Sequence, residues 1–458
     1  MAFIRKIKKK SGTYLAKVES YRKDGKVKQK VIEYLGKEID GKPVKKVTIS
    51  DISVEKVSRF LDIYVINEIA KKLEIPKLLG SKSKPLMTLI YSHLLKRTSI
   101  YKIPDWVIGT EILNILKIKK ITNKELYESL SYLSGLDFEI IQDEISKKFL
   151  ELEASKEMIV FDITDTYFNG KGADWKSRRG KDGKYDKLIQ IGLAVTFKSG
   201  FPLMHKIYEG NINNVKIFED MINDMKSQGY NGVIIDRGMY SRKNIENIKD
   251  YYMRAIVGVR LTSSLEKILI SKIDRDKIFS KECQVVLKET KVYIQSIDIW
   301  EGRLIAIYNP TFEVVKREKS IERGKGRERD KYLGYSLIYH NTEISDKEVV
   351  KKYFEKDVVE RCFKQLKGAL SLHPLRVSNL ESIKSHIKIC YLSFCILSYI
   401  VYFVKPLGLS GEKCLEMLSS GYKVYIKDKL NNKEWEKTVT LQAKQEQILN
   451  SLNVVYKN

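Results

Sequence analysis

MIVFDIT, residues 158–164, is where the character of the chain changes. Upstream, apolar residues recur every three or four positions. Here a short apolar run closes on an acid, as a strand buried in the middle of a sheet does. LIQIGLAVTFKSGFPLMHKIYEGN (188–211) continues as two strands joined by a turn at Ser199-Gly200. NNVKIFEDMINDMKSQ (213–228) then has the spacing of an amphipathic helix. NGVIIDRG (231–238) is a second apolar run ending in an acid, SRKNIENIKDYY (241–252) a second helix and RAIVGVRL (254–261) a further strand. Strand, hairpin, helix, strand, helix, strand is the order of a mixed α/β sheet with helices packed on it.

Working outward, residues 50–153 read as helical. VSRFLDIYVINEIAKKL, KPLMTLIYSHLLKR and NKELYESLSYLS carry the helical spacing, punctuated by Pro76, Pro85 and Pro104. Residues 1–49 are different: TYLAKVESYRK and KVKQKVIEYLGK alternate around Asp24-Gly25, the signature of a hairpin. The first fifty residues hold fifteen Lys/Arg and five Asp/Glu. This basic hairpin fits either a DNA-contacting arm or an edge that pairs with a later sheet. Residues 262–347 read as a β-rich insertion containing a charged, solvated loop, KREKSIERGKGRERDK (316–331). Helical character returns at residue 348, giving a core of 154–261 and 348–405. A C-terminal helical region, 406–458, is expected to follow.

The whole chain has 458 residues with 84 Lys/Arg against 58 Asp/Glu, a formal charge of +26. Such an excess points to a polyanionic partner. The five cysteines are scattered without a C-x-x-C pair, which implies neither a disulfide framework nor a zinc site. The five histidines, His93, His205, His340, His373 and His386, are expected to form no close cluster, so neither a histidine-metal nor a Ser-His site is expected. The N-terminus lacks the apolar segment of a secretory signal. ICYLSFCILSYIVYFV (389–404) is shorter than the ~20 residues of a membrane-spanning helix, so a buried helix in a soluble, cytoplasmic protein is expected.

The two apolar runs end in Asp162 and Asp236, at the carboxyl edge where open α/β sheets place their sites. Asp165 is the rival for the first acid. Alternation puts it on the opposite strand face, and Asp162 follows the apolar run directly. A third acid, Glu360, sits among cations in YFEKDVVERCFKQLK (353–367). On one continuous helix, Tyr353, Lys356, Glu360 and Lys367 would share a stripe. A carboxylate there repels phosphate unless a divalent cation intervenes, and three hard oxygen donors suit Mg²⁺ or Mn²⁺. A plain i,i+4 ion pair between Lys356 and Glu360 would account for part of the pattern. Trp300, in the insertion, is a candidate for DNA contact.

Tyr353-x2-Lys356-x3-Glu360-x6-Lys367 resembles the Y-x2-R-x3-E-x6-K signature of the DDE transposases of bacterial and archaeal insertion sequences. FDITDTYF (161–168) is similar to that family's first-aspartate block, YEGN (208–211) to its Gly-Asn before a helix, and IIDRGMYS (234–241) to its second-aspartate block. YLAKVESYRKDGKVKQKVIEYLGK is similar to the start of one subgroup. The resemblance implies a ribonuclease-H-like core interrupted by a β-rich insertion, with 50–153 as a helical DNA-binding domain. It implies that Asp162, Asp236 and Glu360 bind Mg²⁺, with Mn²⁺ as a substitute. Tyr353, Lys356, Lys367, Arg361 and Lys364 would contact DNA. Lys356 departs from the family's arginine, keeping the charge but losing the bidentate fork. The implied partners are double-stranded DNA (terminal inverted repeats and target) and a second copy of the chain in a synaptic complex at the nucleoid, with no membrane. A ribonuclease-H-like nuclease without transposition and a non-cleaving transposase-derived DNA-binding protein are the alternatives.

Overall fold

The computed structural model describes residues 2–44, 48–153, 158–167, 177–179, 185–262, 264–265, 268, 272–274, 277–288, 290–322, 333–370 and 380–456. Two compact units divide the chain. One comprises Met1–Val65, Asp105–Lys119 and Leu415–Asn458; the other, Ile66–Pro104 and Lys120–Cys414.

In the first unit, the expected N-terminal hairpin is part of a four-stranded antiparallel sheet: β1 (Ala2–Lys9), β2 (Gly12–Lys23), β3 (Lys26–Ile39) and β4 (Lys42–Val44). Its central turn is the one the sequence announces, because Asp24 and Gly25 both take positive φ (54° and 66°), as a two-residue hairpin loop requires. β5 (Ile52–Arg59) opens the stretch expected to be wholly helical.

The larger unit holds a ten-stranded sheet. Its strands are β6 (Ile159–Tyr167), β7 (Ser177–Arg179), β8 (Tyr185–Thr196), β9 (Pro202–Glu209), β10 (Gly232–Ile235) and β11 (Arg254–Val259), then β12 (Gln284–Leu287), β13 (Thr290–Ile299), β14 (Gly302–Tyr308) and β15 (Tyr335–His340). β8 lies antiparallel between β9 and β6, while β10 and β11 run parallel to β6. The order β9-β8-β6-β10-β11 is therefore three antiparallel strands followed by two parallel ones. The insertion does not stand apart from this sheet. β15 pairs with β11, and β14, β13 and β12 extend the same sheet outward.

One face of β6 explains its sequence. Ile159, Phe161 and Ile163 enter the core with Phe218, Met221 and Met225 of the Asn214–Ser227 helix. Val233 and Ile235 of β10 join them. Helices Ser83–Leu95 and Asn123–Ser134 pack on the long Leu380–Val404 helix, so most of the helical stretch expected as its own domain belongs to the larger unit. The long helix is apolar and long enough to cross a membrane, yet 78% of its most apolar window is buried inside the protein. That fits the buried helix expected from its sequence.

Two local expectations fail. Residues 310–322, the latter part of which overlaps the expected loop, form the helix Pro310–Glu322; the remainder of that loop, 323–331, lies outside the described residues. The region 406–458 is not wholly helical either. β16 (Tyr422–Asp428) and β17 (Lys433–Thr438) form a hairpin that pairs with β5 in a three-stranded sheet of the first unit.

Candidate active site

Strand register brings the first two acids together. Phe161 lies beside Ile235, and Ile235 beside Val257. One residue further along each chain lie Asp162, within β6, Asp236, directly after β10, and Gly258, within β11. With Phe161 facing the core, alternation turns Asp162 to the other face of the sheet and leaves Asp165 on the Phe161 face. The helix Asp357–Lys364, which carries Glu360, packs against β6 and β8. Its buried side, Val358, Val359, Cys362 and Phe363, holds it there. The β8–β9 turn contributes: Gly200 has φ +71°, and its carbonyl accepts the Cys362 thiol at 3.4 Å.

The expected stripe of four side chains is not formed by one helix. The Asp346–Phe354 helix ends before Glu355, the Asp357–Lys364 helix restarts after Lys356, and Gln365–Ala369, with Lys367, widens into a π turn. The break re-aims Lys356. Its Nζ donates to Asp236 Oδ1 at 3.2 Å instead of pairing four residues on with Glu360. Tyr353 Oη donates to the same oxygen at 3.0 Å, and the Lys356 ammonium lies 5.1 Å from the Tyr353 ring centroid. Gly258 makes room for this: a Cβ there would lie 2.2 Å from Tyr353 Oη.

Electrostatics follow the geometry. Burial opposes the charge of Asp236, but the Lys356 ammonium and the hydrogen bonds from the Arg237 amide, Lys356 and Tyr353 outweigh it and hold the carboxyl below its usual range. Burial, reinforced by the Asp236 charge, pushes the Tyr353 phenol well up, so it stays a donor. Glu360 is exposed and Asp162 half-buried, with Asp162 Oδ1 accepting the Ile163 amide at 2.8 Å.

Asp236 and Glu360 line a groove of about 1190 Å³ together with Arg237, Arg260, Lys288, Lys316, Lys351 and Lys356. Five of these cations were not singled out from the sequence. Arg237 and Arg260 directly follow the strand ends at Asp236 and Val259, which was the available signal. Burial, aided by the nearby Arg237, holds Lys316 below the usual lysine range. Arg361 and Lys364 are exposed, with Arg361 paired to Asp357 at 2.8 Å. Trp300 does not line the groove. It packs against Tyr240 and Tyr339, under the Arg242 guanidinium 4.9 Å away.

Hard carboxylate oxygens suit a divalent cation in kind. Among the described residues, however, the three acids do not bring their oxygens within 4.8 Å of one another. The group that does bring its donor atoms that close is His93, His386 and Cys390. The expectation that the histidines form no cluster therefore fails for two of them; His373 lies outside the described residues. Burial, aided by repulsion from His386 and Arg97, pushes His93 down to about 3, and burial pushes His386 down to about 4.

Residues 153–396 match the family described as Transposase DDE domain, and residues 4–46 match IS1634 family transposase, N-terminal domain. A comparison with curated proteins found no match. Among solved structures, the chain is similar to one titled "Cryo-EM structure of piggyBac transposase synaptic complex with hairpin DNA (SNHP)". That likeness has 13% identity and a TM-score of 0.43, and covers 78% of this chain and 76% of the other. With the first match spanning more than half of its length, the chain belongs to the DDE transposases: it is a DNA transposase of the insertion-sequence kind, an enzyme that acts on DNA and depends on divalent metal.

Proposed function

We propose that this transposase cuts DNA at the ends of its own element and joins the freed 3′-hydroxyl to target DNA, with Asp162, Asp236 and Glu360 as the ligands of Mg²⁺, or of Mn²⁺ in its place. The observation that carries this reading is the juxtaposition of the three acid-bearing elements. Asp162 lies within β6, one residue past that strand's last pair with β10, Asp236 directly follows β10, and the helix bearing Glu360 packs on β6. A ribonuclease-H-like core is supported by the strand order β9-β8-β6-β10-β11 with its antiparallel-then-parallel pattern.

Bound at these carboxylates, the divalent metal would activate the attacking oxygen and stabilise the leaving one. The protein's own groups supply the rest. Phosphoryl transfer needs positioning and charge neutralisation more than covalent chemistry. Arg237, Arg260, Lys288, Lys316 and Lys351 line the groove and offer phosphate contacts beside Asp236 and Glu360. Tyr353 and Lys356 fix one oxygen of Asp236, which orients that carboxylate before DNA arrives. Lys367, Arg361 and Lys364 extend the cationic surface along the following turns. Acting in the cytoplasm at the nucleoid, two copies would hold the paired ends of the element in a synaptic complex. The DNA-end-reading role falls to the basic sheet β1–β4 and the helices within 50–153.

The test uses labelled DNA flanking the coding region, incubated with the purified protein in Mg²⁺ or Mn²⁺. Asp236→Ala and Glu360→Ala variants and a scrambled-end duplex run beside it. End-specific nicking and strand transfer by the wild type, abolished in both variants, is the expected result. Cutting that ignores the ends would replace transposition with general nuclease activity. Tight end binding without cutting in either metal would sink the catalytic reading.

A further inference from the structure

We propose that His93, His386 and Cys390 form a second metal site, a His₂Cys centre for Zn²⁺ that joins the Ser83–Leu95 helix to the Leu380–Val404 helix. One ligand atom from each residue lies within 4.8 Å of the other two. His93 Nε2 stands 3.0 Å from Cys390 Sγ, and the two imidazole rings meet edge to face with centroids 4.9 Å apart. His386 and Cys390 are four residues apart on one helix, so both project from the same face. His93 reaches them from the last turn of its own helix.

The donor set decides the ion. Two imidazoles and a thiolate suit Zn²⁺, whereas Mg²⁺ takes oxygen ligands. Tetrahedral Zn²⁺, with Zn–N of about 2.0–2.1 Å and Zn–S of about 2.3 Å, holds two such nitrogens and a sulfur about 3.3–3.6 Å apart. Side-chain adjustments of about an ångström would therefore close the site. The thiol proton leaves to solvent as the thiolate takes up the metal. A hydrogen bond between one histidine and Cys390 would satisfy a buried thiol by itself; the second imidazole brings another nitrogen donor to the same point.

The surroundings match those of a metal ligand. The main-chain carbonyl of Leu370 lies beside the His93 ring, a partner of the kind that orients a metal-bound imidazole. The Cys390 thiol faces the same carbonyl at 3.9 Å. Leu370 directly follows the π turn that carries Lys367. A metal at this point would lie beside Leu370, at the end of the segment that bears Glu360. The site thus joins two helices through three protein ligands, with its fourth position left to water.

The experiment titrates Co²⁺ and Zn²⁺ into full-length, chelator-treated protein. Co²⁺ gives an absorption band from thiolate charge transfer and tetrahedral d–d bands, readouts independent of DNA cutting. About one equivalent is expected to bind with both signatures, and Zn²⁺ should displace it. Cys390→Ser should lose the charge-transfer band. His386→Gln should bind at least ~10-fold more weakly, and Asp236→Ala should leave the spectrum intact. Circular dichroism checks that each variant folds. If wild-type protein takes up neither ion, or the bound Co²⁺ lacks the thiolate band, the proposal is overturned whatever the variants do. A band that persists in folded Cys390→Ser overturns it as well.

Discussion

Adding a single methyl group at Gly258 probes the arrangement around Asp236. A Cβ at that position would lie 2.2 Å from Tyr353 Oη, 3.0 Å from Tyr353 Cζ and 2.8 Å from the Arg237 amide nitrogen. Overpacking of this kind costs about 1–3 kcal/mol. The phenol is the partner able to move, and in moving it gives up its 3.0 Å bond to Asp236. A hydrogen bond to a charged group contributes about 1.5–3 kcal/mol. Where that bond also holds Asp236 for catalysis, its loss corresponds to roughly a 10- to 150-fold fall in cleavage rate. The melting temperature should fall as well, by at most about 2–4 °C per kcal/mol in a unit of this size. Tyr353→Phe should reproduce the loss of cleavage without the overpacking. The double variant should lose less than the sum of the two, because the worst clash disappears with the hydroxyl while the one with the Arg237 amide remains. Thermal melts and cleavage of labelled end DNA measure all three proteins. Wild-type melting and cutting in Gly258→Ala, or full additivity in the double variant, would refute the reasoning.

Replacing Arg237 and Lys316 together with alanine should flatten the dependence of log K on log salt for DNA binding by about 1.8, at ~0.9 per phosphate contact; fluorescence anisotropy across a salt series measures it. Phe161→Ala, emptying a position beside Phe218 in the core, should cost about 3–5 kcal/mol in chemical denaturation. Asp346 offers a pH prediction. Burial opposes its charge, but His340, Ser296 and Arg303 outweigh that and hold its carboxyl below the usual carboxylate range. Its folded pKa is therefore depressed: the stabilisation is fully present above the unfolded value and is lost as pH falls through the lower folded one. Asp346→Asn should flatten the acid limb of stability from about pH 5 down to the folded pKa, and an unchanged limb would remove Asp346 from the account.

β10 was legible because it is short, apolar and closed by an acid, whereas β6, recognised from its apolar start, runs on to Tyr167 and holds Asp162 within it. The helix break was not. A two-residue interruption at Glu355–Lys356 preserves the apolar spacing of Val349, Val350, Val358, Val359 and Cys362, so periodicity runs through it unmarked. The charged helix Pro310–Glu322 was hidden by its composition, although Asn309-Pro310 is a start signal: the Asn309 side chain accepts the Phe312 amide at 3.1 Å. The hairpin of β16 and β17 had its own mark in Asn431-Asn432, with Asn432 at φ 50°. His93 and Cys390 stand 297 residues apart, and only the packing of two helices brings them together. The groove cations were invisible for the same reason, since they come from separate strands, turns and helices.

The lysine at position 356 becomes intelligible in this geometry. On an uninterrupted helix it would lie over Glu360 and serve as a surface cation. The break makes it the residue preceding the second helix, and its ammonium turns back to Asp236 Oδ1. Asp162 and Asp236 each come one residue after the paired Phe161 and Ile235 of β6 and β10, and neighbouring carboxylates repel each other without a cation nearby. Lys356 supplies that cation. Its form of contact matters, because a guanidinium grips a carboxylate through a planar fork, whereas an ammonium binds as a point charge on a flexible stem. With one hydrogen bond to one oxygen, Lys356 stabilises Asp236 in the free protein and can be displaced from it at the cost of a single contact. Under the metal role proposed for Asp236, a lysine at this position suits a carboxylate that exchanges one positive partner for another.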